Sequence, residues 1–258
     1  TTDEWARIPH HLRNILEPDD DYSVSIFQQQ AKLLINQLND NHVVPILSGG
    51  TGLYVQSLLE NYNFNDIKPN TKLRIELDEL YTEYGVDGLR EYAQNLAEKG
   101  GIEIKYTDKH RLYRAIELMT AGDYKSLIKQ TKEGLSYKGP VIGLQRERSD
   151  LYDRINRRVE IMFEKGLVDE VKQLLKNGVN PNCQAFKGIG YKEVVQYLEG
   201  LISYDACVDL IQKNTRHFAK RQITWYKRMP YIEWIIIDSQ TTEAEIYGMA
   251  CNIIDSSF

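Results

Sequence analysis

The expected fold is decided by one stretch of sequence, Val43-Val44-Pro45-Ile46-Leu47-Ser48-Gly49-Gly50-Thr51-Gly52. Residues 43–47 form a short β-branched run, which is typical of a buried strand. Residues 48–52 form a glycine turn, and residues 53–59 continue with the periodicity of a helix. Strand, glycine turn and helix in this order are the local pattern of an α/β site for a nucleotide or a phosphate.

The glycine turn has the composition of an anion-binding turn. Glycines let backbone amides approach phosphate oxygens closely, and the start of the following helix adds partial positive charge. The hydroxyl of Thr51 can donate to a phosphate oxygen. A tight strand-to-helix turn in which Thr51 is an ordinary N-cap explains the same residues equally well. No GxxxxGK[ST] motif occurs in the chain, so this turn is not a Walker A loop.

Helical and strand patterns alternate on both sides of this stretch. Short apolar runs predict further strands at 141–144 and 234–238. Apolar spacings of three and four predict helices at 23–39, 73–84, 86–97, 110–119 and 168–176, and one capped by Ser149 and Asp150. Strands interleaved with helices predict an α/β fold with a parallel sheet. We expect a core domain from 1–60 and 139–258 and a mainly helical insertion domain at 61–138.

Residues 213–228 concentrate positive charge in a chain whose formal net charge is −5. They include no acidic residue, and at about 100° per residue the basic side chains fall within roughly 140° of a helical wheel. A separate arc is apolar and predicts packing against the core through Cys207, Ile211, Phe218 and Trp225. A local positive field on an acidic protein favours a site for phosphates or a nucleic-acid backbone, although such stripes are often only solvated. The basic residues are Lys213, Arg216, His217, Lys220, Arg221, Lys227 and Arg228.

Two other groups of basic residues are candidate anion sites. Arg154 and Arg158 lie four residues apart on one helix face and could fork onto a diphosphate. The alternative is a surface pair bridging to Asp153 or Glu160. A third cluster lies at the start of the helix at 110–119, where positive charge is unfavourable for the helix dipole. An anion bound there would offset that cost, or the charges could be only solvated. That cluster consists of Lys105, Lys109, His110, Arg111 and Arg114.

Several classes of protein are excluded or disfavoured by composition. The sequence has no apolar run of the length of a membrane span and no signal peptide pattern. Its three widely spaced cysteines suggest neither a disulfide framework nor a zinc pair, so a cytoplasmic location is expected. The histidines show no metal-site spacing, and we expect His10 and His11 to be structural.

The motifs taken together resemble one enzyme family, the tRNA dimethylallyltransferases of bacterial type. Six segments occur in the order found in that family, and they extend over nearly the whole chain. They are PHHL (9–12), SGGTGLY (48–54), RAIE (114–117), RINRRVEIM (154–162), GIGYKE (188–193) and TRHFAKRQITW (215–225).

The resemblance implies a P-loop-NTPase-like core with a helical insertion, and transfer of a dimethylallyl group from its diphosphate to adenosine beside the tRNA anticodon. It implies Mg2+ bound with the diphosphate and flipping of the target base. We expect the protein to be a monomer. By motif position, Thr51, Arg154 and Arg158 match catalytic residues, and Ser48, Gly49, Gly50, Thr51 and Gly52 match a diphosphate site. Residues matching segments that hold the tRNA anticodon loop are His110, Arg111, Arg114, Lys187, Gly188, Gly190, Tyr191, Lys192, Lys220, Arg221, Gln222, Thr224, Trp225 and Lys227.

Two elements of the family pattern do not occur in this sequence. They are a Walker-type loop and an aspartate that serves as general base; since the chain opens on Thr1 without a methionine, we expect both upstream of it. Two alternative functions remain open. One is a nucleoside monophosphate kinase or a prenyltransferase of free adenylate. The extended stripe of basic residues at 213–228 argues against it. The other is a non-catalytic RNA-binding module.

Overall fold

The computed structural model describes residues 8–64, 67–127 and 135–257. The chain divides into two compact units, one formed by 1–59 with 135–258 and the other by 60–134. We call them the core unit and the insertion unit. The elements in chain order are α1 (Val24–Asp40), α2 (Gly52–Leu59), α3 (Thr71–Lys99), α4 (Lys109–Thr120), β1 (Val141–Arg146), α5 (Arg148–Glu164), α6 (Leu167–Lys176), α7 (Tyr191–Leu198), α8 (Tyr204–Tyr226), β2 (Ile232–Ile237) and α9 (Glu243–Ser257).

The sheet of the core unit pairs β1 with β2 in parallel, with Val141 opposite Ile232 and Arg146 opposite Ile237. Both strands fall where the sequence predicts them, and helices alternate with them along the chain, so the α/β class with a parallel sheet is confirmed. At the carboxyl ends of the strands, the Arg146 guanidinium donates to Asp238 O at 2.6 Å and to Asp150 Oδ2 at 2.7 Å. These bonds fasten the end of β1 to the end of β2 and to the start of α5.

The prediction of a buried strand at 43–47 is wrong. The structure gives this run no strand, and the side chains of Val44 and Ile46 are 81% and 85% exposed. A strand forms by pairing its backbone groups with a neighbour, whereas β-branched side chains only favour it. Within the described residues β1 and β2 pair with each other and offer this run no partner. Pro45 also lacks the N–H group that a ladder requires.

In the core unit α1, α2 and α6 begin and end within one residue of their predicted positions, whereas the sequence patterns predict no helix at α7 or α9. One correction concerns a cap. Ser23 caps α1 by accepting from the backbone N–H of Ile26 at 3.2 Å. We expected Ser149 and Asp150 to cap α5, but the cap is Glu147. Its carboxylate accepts from the backbone N–H groups of both residues, at 2.7 and 3.2 Å. A longer side chain two to three residues earlier in the chain therefore caps the helix in place of the two shorter ones.

Helices α5 to α8 enclose the main apolar cluster of the core unit. It contains Val159, Leu167, Val171, Cys183, Phe186, Val194, Cys207 and Ile211. Cys207 and Ile211 confirm the apolar arc predicted on α8, but Phe218 does not, because its side chain is 42% exposed. A helix of 23 residues is about 34 Å long and extends past this one cluster. Beyond Ile211 the buried position on α8 shifts to Ala219, so Phe218 is left toward solvent.

The insertion unit is helical, with α3 packed on α4. At Gly85 the backbone of α3 leaves the helical region (φ 66, ψ −157), so the element consists of two segments joined at a kink. The positive φ explains the glycine, because side chains disfavour that region. The two segments match the separately predicted helices at 73–84 and 86–97. Their apolar faces meet α4 through Leu77, Leu89, Ala93, Leu112 and Ile116.

Glu117 is a buried carboxylate at the centre of the polar contacts in the insertion unit. Its side chain accepts from Arg74 Nε at 2.7 Å, from the backbone N–H of Asn70 at 3.0 Å and from Arg114 at 3.1 Å. Burial alone would raise the pKa of Glu117, but the bonds from Arg74, Asn70 and Arg114 outweigh it and hold the pKa below its ordinary value. Folding therefore favours the ionised carboxylate, and the resulting stability is lost as pH falls through the depressed pKa.

Replacing Glu117 with glutamine should destabilise the protein by about 2 kcal/mol at neutral pH, since charge-assisted hydrogen bonds are lost. On acidification, the stability of the variant should also fall less than that of the wild type. Denaturant unfolding across pH measures both effects. Glu103→Gln is the control, because Glu103 pairs with Lys105 on the exposed surface and its loss should change little. A Glu117→Gln protein as stable as the control would contradict this account.

None of the helices in the described parts of the chain is long and apolar enough to cross a bilayer.

Candidate functional site

The glycine turn, residues 48–52, packs against the carboxyl-terminal half of α8. Gln222 Nε2 donates to the carbonyl oxygen of Gly50 at 2.7 Å. A Cβ atom on Gly50 would lie 2.1 Å from Gln222 Nε2, and one on Gly52 would lie 2.4 Å from Trp225 Cδ1. A Cβ on Gly49 would meet nothing within 4 Å. Gly50 and Gly52 are therefore required by the close approach of α8, and Gly49 is the open position of the turn.

Thr51 lies exposed at the start of α2. Its carbonyl oxygen accepts from the backbone N–H groups of Tyr54 and Val55 at 2.9 and 3.1 Å, as in the first turn of a helix. Its hydroxyl has no hydrogen-bond partner within the described residues, so it does not cap α2 through its side chain. The first N–H groups of a helix lack partners within the helix and carry partial positive charge. The hydroxyl and this helix start are together available to an anion.

Basic side chains in and just after the same segment of α8 line an open pocket of about 460 Å³. Its lining residues are His217, Lys220, Arg221, Thr224, Trp225 and Arg228. None of the basic side chains at 213–228 forms an ion pair within the described parts of the chain. The guanidinium of Arg221 lies 5.9 Å from the ring centre of Phe218, within the range of a cation–π contact. The exposed Phe218 ring is therefore a neighbour of this positive charge. This pocket presents unneutralised positive charge beside two aromatic rings.

The predicted RNA-binding residues at 220–227 differ in what they contact. Lys220, Arg221 and Thr224 line the pocket, and Lys227 is exposed just past the end of α8. Gln222 contacts the glycine turn, and Trp225 contributes both to the pocket and to the contact with Gly52. One segment of α8 thus joins the pocket to the turn. The sequence patterns treated these as separate features.

Residues 187–192 combine exposed lysines with a glycine that takes part in a buried hydrogen-bond network. Lys187 and Lys192 are exposed, whereas Gly190 is buried and has φ 107, a conformation that favours glycine. The N–H of Gly190 donates to Glu193 Oε2 at 2.8 Å, and the other carboxylate oxygen of Glu193 accepts from Asn214 Nδ2 at 2.8 Å. The fully buried Glu193 thereby fastens the start of α7 to α8. Sequence reasoning missed both Glu193 and Asn214.

Residues close to Gly190 and Glu193 also contact other parts of the core unit. A Cβ on Gly188 would lie 3.2 Å from the carbonyl oxygen of Ala185, a close but tolerable approach. The hydroxyl of Tyr191 donates to Glu170, and burial together with this bond raises the pKa of Tyr191 to about 12. Burial, with the nearby Glu193 carboxylate, raises the pKa of the Cys207 thiol to about 11. These groups therefore stay protonated at neutral pH.

Arg154 and Arg158 are exposed on α5. Neither forms an ion pair within the described residues, so the alternative of a surface pair with Asp153 or Glu160 is not what the structure contains. Arg157, between them, pairs instead with Glu160 at 2.9 Å and Glu164 at 3.6 Å. No hydrogen bond among the described residues joins Arg154 or Arg158 to the glycine turn. The structure therefore leaves both guanidinium groups available but does not bring them into contact with Thr51.

In the insertion unit, the basic residues at the start of α4 differ in their surroundings. His110 and Arg111 are exposed. Arg114 is half-buried, pairs with Glu117 and donates to the carbonyl oxygen of Ile67 at 2.7 Å. Arg114 therefore has a structural role in the RAIE segment that the sequence pattern did not indicate.

The part of the chain that the structure describes contains no group of three or more His, Cys, Asp or Glu residues able to hold a metal ion. His10 and His11 are exposed, and the ring nitrogen Nδ1 of His10 lies 2.8 Å from the carbonyl oxygen of Ile8. His10 thus makes a local contact with the backbone, but neither histidine is a core residue.

Comparison with protein families gives a match over most of the chain. The sequence model of the IPP transferase family matches residues 1–229. The tRNA dimethylallyltransferase of Alkaliphilus metalliredigens is 37% identical over 256 residues, which is 97% of this chain and 81% of that protein. The protein of the same name from Clostridioides difficile is 38% identical over 242 residues, covering 92% of this chain and 77% of that protein.

Solved structures show the same relationship. The fold is similar to that of the full-length tRNA isopentenylpyrophosphate transferase from Bacillus halodurans, with a TM-score of 0.69 and 33% identity. That match covers 100% of this chain and 82% of the other. The corresponding transferase from Staphylococcus epidermidis gives a TM-score of 0.68 at 32% identity, covering 99% of this chain and 84% of the other.

Proposed function

The chain belongs to the IPP transferase family, and on that premise we propose that it is a tRNA dimethylallyltransferase. It transfers a dimethylallyl group from dimethylallyl diphosphate to the exocyclic amine of the adenosine 3′-adjacent to the anticodon. The amine nitrogen forms a bond to the allylic carbon, the carbon–oxygen bond to the diphosphate breaks, and the amine loses a proton. Diphosphate is the leaving group.

One observation carries this proposal beyond the comparisons. The carboxyl-terminal half of α8 lines a basic pocket through Lys220 and Arg221, and packs against the glycine turn through Gln222 and Trp225. A polyanionic RNA backbone and a small diphosphate can therefore both lie beside one helical segment. An enzyme that joins a prenyl diphosphate to RNA needs this adjacency, because the amine and the allylic carbon must meet.

Charge develops on the diphosphate as it leaves, and the groups at the start of α2 can stabilise that charge. The exposed Thr51 hydroxyl is the proposed donor, with the helix start adding partial positive charge. We assign Ser48, Gly49 and Thr51 to the diphosphate. Gly50 and Gly52 contribute by allowing the turn to approach α8. Arg154 and Arg158 are the proposed cationic partners of the diphosphate.

Lysine, arginine and histidine side chains on three segments are the proposed contacts to the tRNA backbone. They are exposed or line the pocket of α8, where they can bind phosphates and release condensed counterions. Trp225 offers an aromatic face to the same pocket. The proposed contacts are His110, Arg111, Lys187, Lys192, Lys220, Arg221 and Lys227.

Mg2+ is the divalent ion that we propose to accompany the diphosphate. Such ions are often held by one or two carboxylates together with substrate phosphates. The described residues contain no group of three acidic, histidine or cysteine side chains that could hold the ion by themselves. The residues present thus do not make a metal site without the substrate, and no step of the reaction is derived through it.

The two alternative functions fit these observations less well. A kinase or a prenyltransferase of free adenylate binds a mononucleotide, which does not need the extended set of basic residues along 213–228. A non-catalytic RNA-binding module needs the basic pocket, but it does not need an exposed Thr51 hydroxyl at a helix start. Transfer to tRNA uses both features.

Labelled dimethylallyl diphosphate, incubated with the natural protein and either tRNA or AMP, tests the proposal directly. We expect the label to appear on tRNA, at the adenosine beside the anticodon, and not on AMP. Label on AMP alone would identify a prenyltransferase of free adenylate. Tight tRNA binding without transfer to either acceptor would identify an RNA-binding module.

Arg158→Ala should weaken binding of dimethylallyl diphosphate roughly tenfold, the expected scale for one charge-assisted contact. Binding of tRNA should be nearly unchanged, since Arg158 lies outside the pocket of α8. Arg157→Ala is the matched control, because Arg157 is the neighbouring arginine and is already paired with Glu160. Equilibrium binding of each substrate separates the two outcomes. Loss of tRNA affinity with intact diphosphate binding would make the assignment wrong.

A further inference from the structure

Gln222 is the residue through which α8 holds the segment that leads into Thr51. We propose, on the premise of the transferase function above, that Gln222 is a positioning residue for the diphosphate site. Its side-chain amide fixes the carbonyl oxygen of Gly50 and thereby sets the place of the Thr51 hydroxyl. Gln222 acts through Thr51 and does not itself contact the reacting atoms.

The segment before Thr51 has few other constraints. It contains no helix or strand, and several of its apolar side chains are exposed. From Val44 to Gly50, the bond from Gln222 is the sole hydrogen bond found among the described residues. At 2.7 Å it is a short bond, and it falls on the residue next to Thr51. A single amide therefore anchors this segment at its catalytic end.

The contact is also specific to the two residues that make it. A Cβ on Gly50 would lie 2.1 Å from Gln222 Nε2, so any side chain other than hydrogen must displace the amide. The amide is the flexible end of a long side chain, and it can swing away at little steric cost. It would then lose the bond to Gly50. A substitution on either partner should therefore remove the same interaction.

The neighbours of Gln222 explain why its role differs from theirs. Lys220 and Arg221, in the same helical turn, line the basic pocket, whereas the amide of Gln222 is committed to Gly50. Removal of the amide should thus disturb Thr51 and leave the charges that face the pocket unchanged. A misplacement of about 1 Å at a reacting group is enough to slow a reaction by up to roughly 10²-fold.

Gln222→Met tests this inference, because methionine keeps the length of the side chain and removes the amide. Gln212→Met is the matched control on the same helix, since Gln212 Nε2 also donates to a backbone carbonyl, that of Asn156, at 3.3 Å. We expect Gln222→Met to lower kcat by 10- to 100-fold, with the tRNA Kd and the thermal midpoint equal to those of Gln212→Met.

Gly50→Ala completes a double-mutant cycle. It should lower kcat by about as much as Gln222→Met, and the double variant should be no worse than either single variant. Additive losses, or a kcat of Gln222→Met equal to that of the control, would overturn the positioning role. So would a parallel loss of tRNA affinity and thermal stability, which indicates a merely structural contact.

The activity of the wild-type protein in the same assay distinguishes failure of the transferase function from failure of the positioning role. If it transfers no label to tRNA, the transferase function fails and the role of Gln222 fails with it. If the wild type is active and Gln222→Met matches the control, only the positioning role is wrong.

Discussion

Replacing Thr51 with alanine should lower the rate of dimethylallyl transfer by roughly 10²-fold, the scale of losing one donor to developing negative charge. The hydroxyl is exposed at the start of α2 and has no partner among the described residues, so its removal leaves no protein group unsatisfied. The fold and the tRNA affinity should therefore be nearly unchanged. Single-turnover rates with saturating tRNA measure the effect on the chemical step.

Thr51→Ser is the control for this prediction, because serine retains the hydroxyl and should keep most of the rate. A Thr51→Ala protein with a near-normal single-turnover rate would show that the residue only begins the helix. Equal losses in both variants would point to packing of the threonine methyl group.

Gly52→Ala should cost about 3 kcal/mol of stability and most of the activity. Alanine ordinarily stabilises a helix relative to glycine. Here its Cβ would lie 2.4 Å from Trp225 Cδ1 and 2.7 Å from Cγ, and a rigid indole ring cannot swing aside as a flexible side chain can. Overpacking of this kind typically costs 1–3 kcal/mol, and the short distances place Gly52 at the upper end. Denaturant midpoints measure the loss.

Gly49→Ala is the matched control in the same turn, since its Cβ would meet nothing within 4 Å. We expect it to leave the midpoint nearly unchanged. If Gly52→Ala were as stable as Gly49→Ala, the contact between the glycine turn and α8 would be wrong. The site would then lose the adjacency on which the proposed function depends.

Most helices could be predicted from the sequence because their signal is local. Spacings of three and four residues, with breaks at glycine, placed α1, α4 and the two segments of α3 within a few residues of their observed ends. Strands depend on partners distant in sequence. Residues 141–144 and 234–238 have each other, whereas residues 43–47 have no partner in the described sheet. The same β-branched pattern therefore gave a strand twice and failed once.

The helical wheel of α8 predicted the burial of Cys207 and Ile211 correctly and that of Phe218 wrongly, for one physical reason. A wheel assumes that one face has the same surroundings along the whole helix. Cys207 and Ile211 contact the apolar cluster, but Phe218 lies beyond it and is exposed. Most of the basic arc does face solvent, but Arg216 is half-buried and its guanidinium donates to Asn156 Oδ1 on α5 at 2.5 Å.

The candidate site was predictable in its residue types but not in its contacts. Glycines at 48–52 indicated an anion site, yet two of them are explained by Gln222 and Trp225, more than 150 residues later in the chain. Glu193 and Asn214 were missed because a buried polar pair has no periodic signal. Such pairs become visible once the backbone brings their partners together.

The salt dependence of tRNA binding tests most directly the central claim that the basic face of α8 holds the RNA backbone. Lys220→Ala/Arg221→Ala should reduce the slope of log K against log salt by roughly 1.4–1.8, since each phosphate contact accounts for about 0.7–0.9. Its denaturant midpoint should stay normal. Lys172→Ala/Lys176→Ala, which removes two exposed lysines of α6, should keep the wild-type slope. A full slope in the α8 variant would contradict the account, because its basic face would then be only solvated.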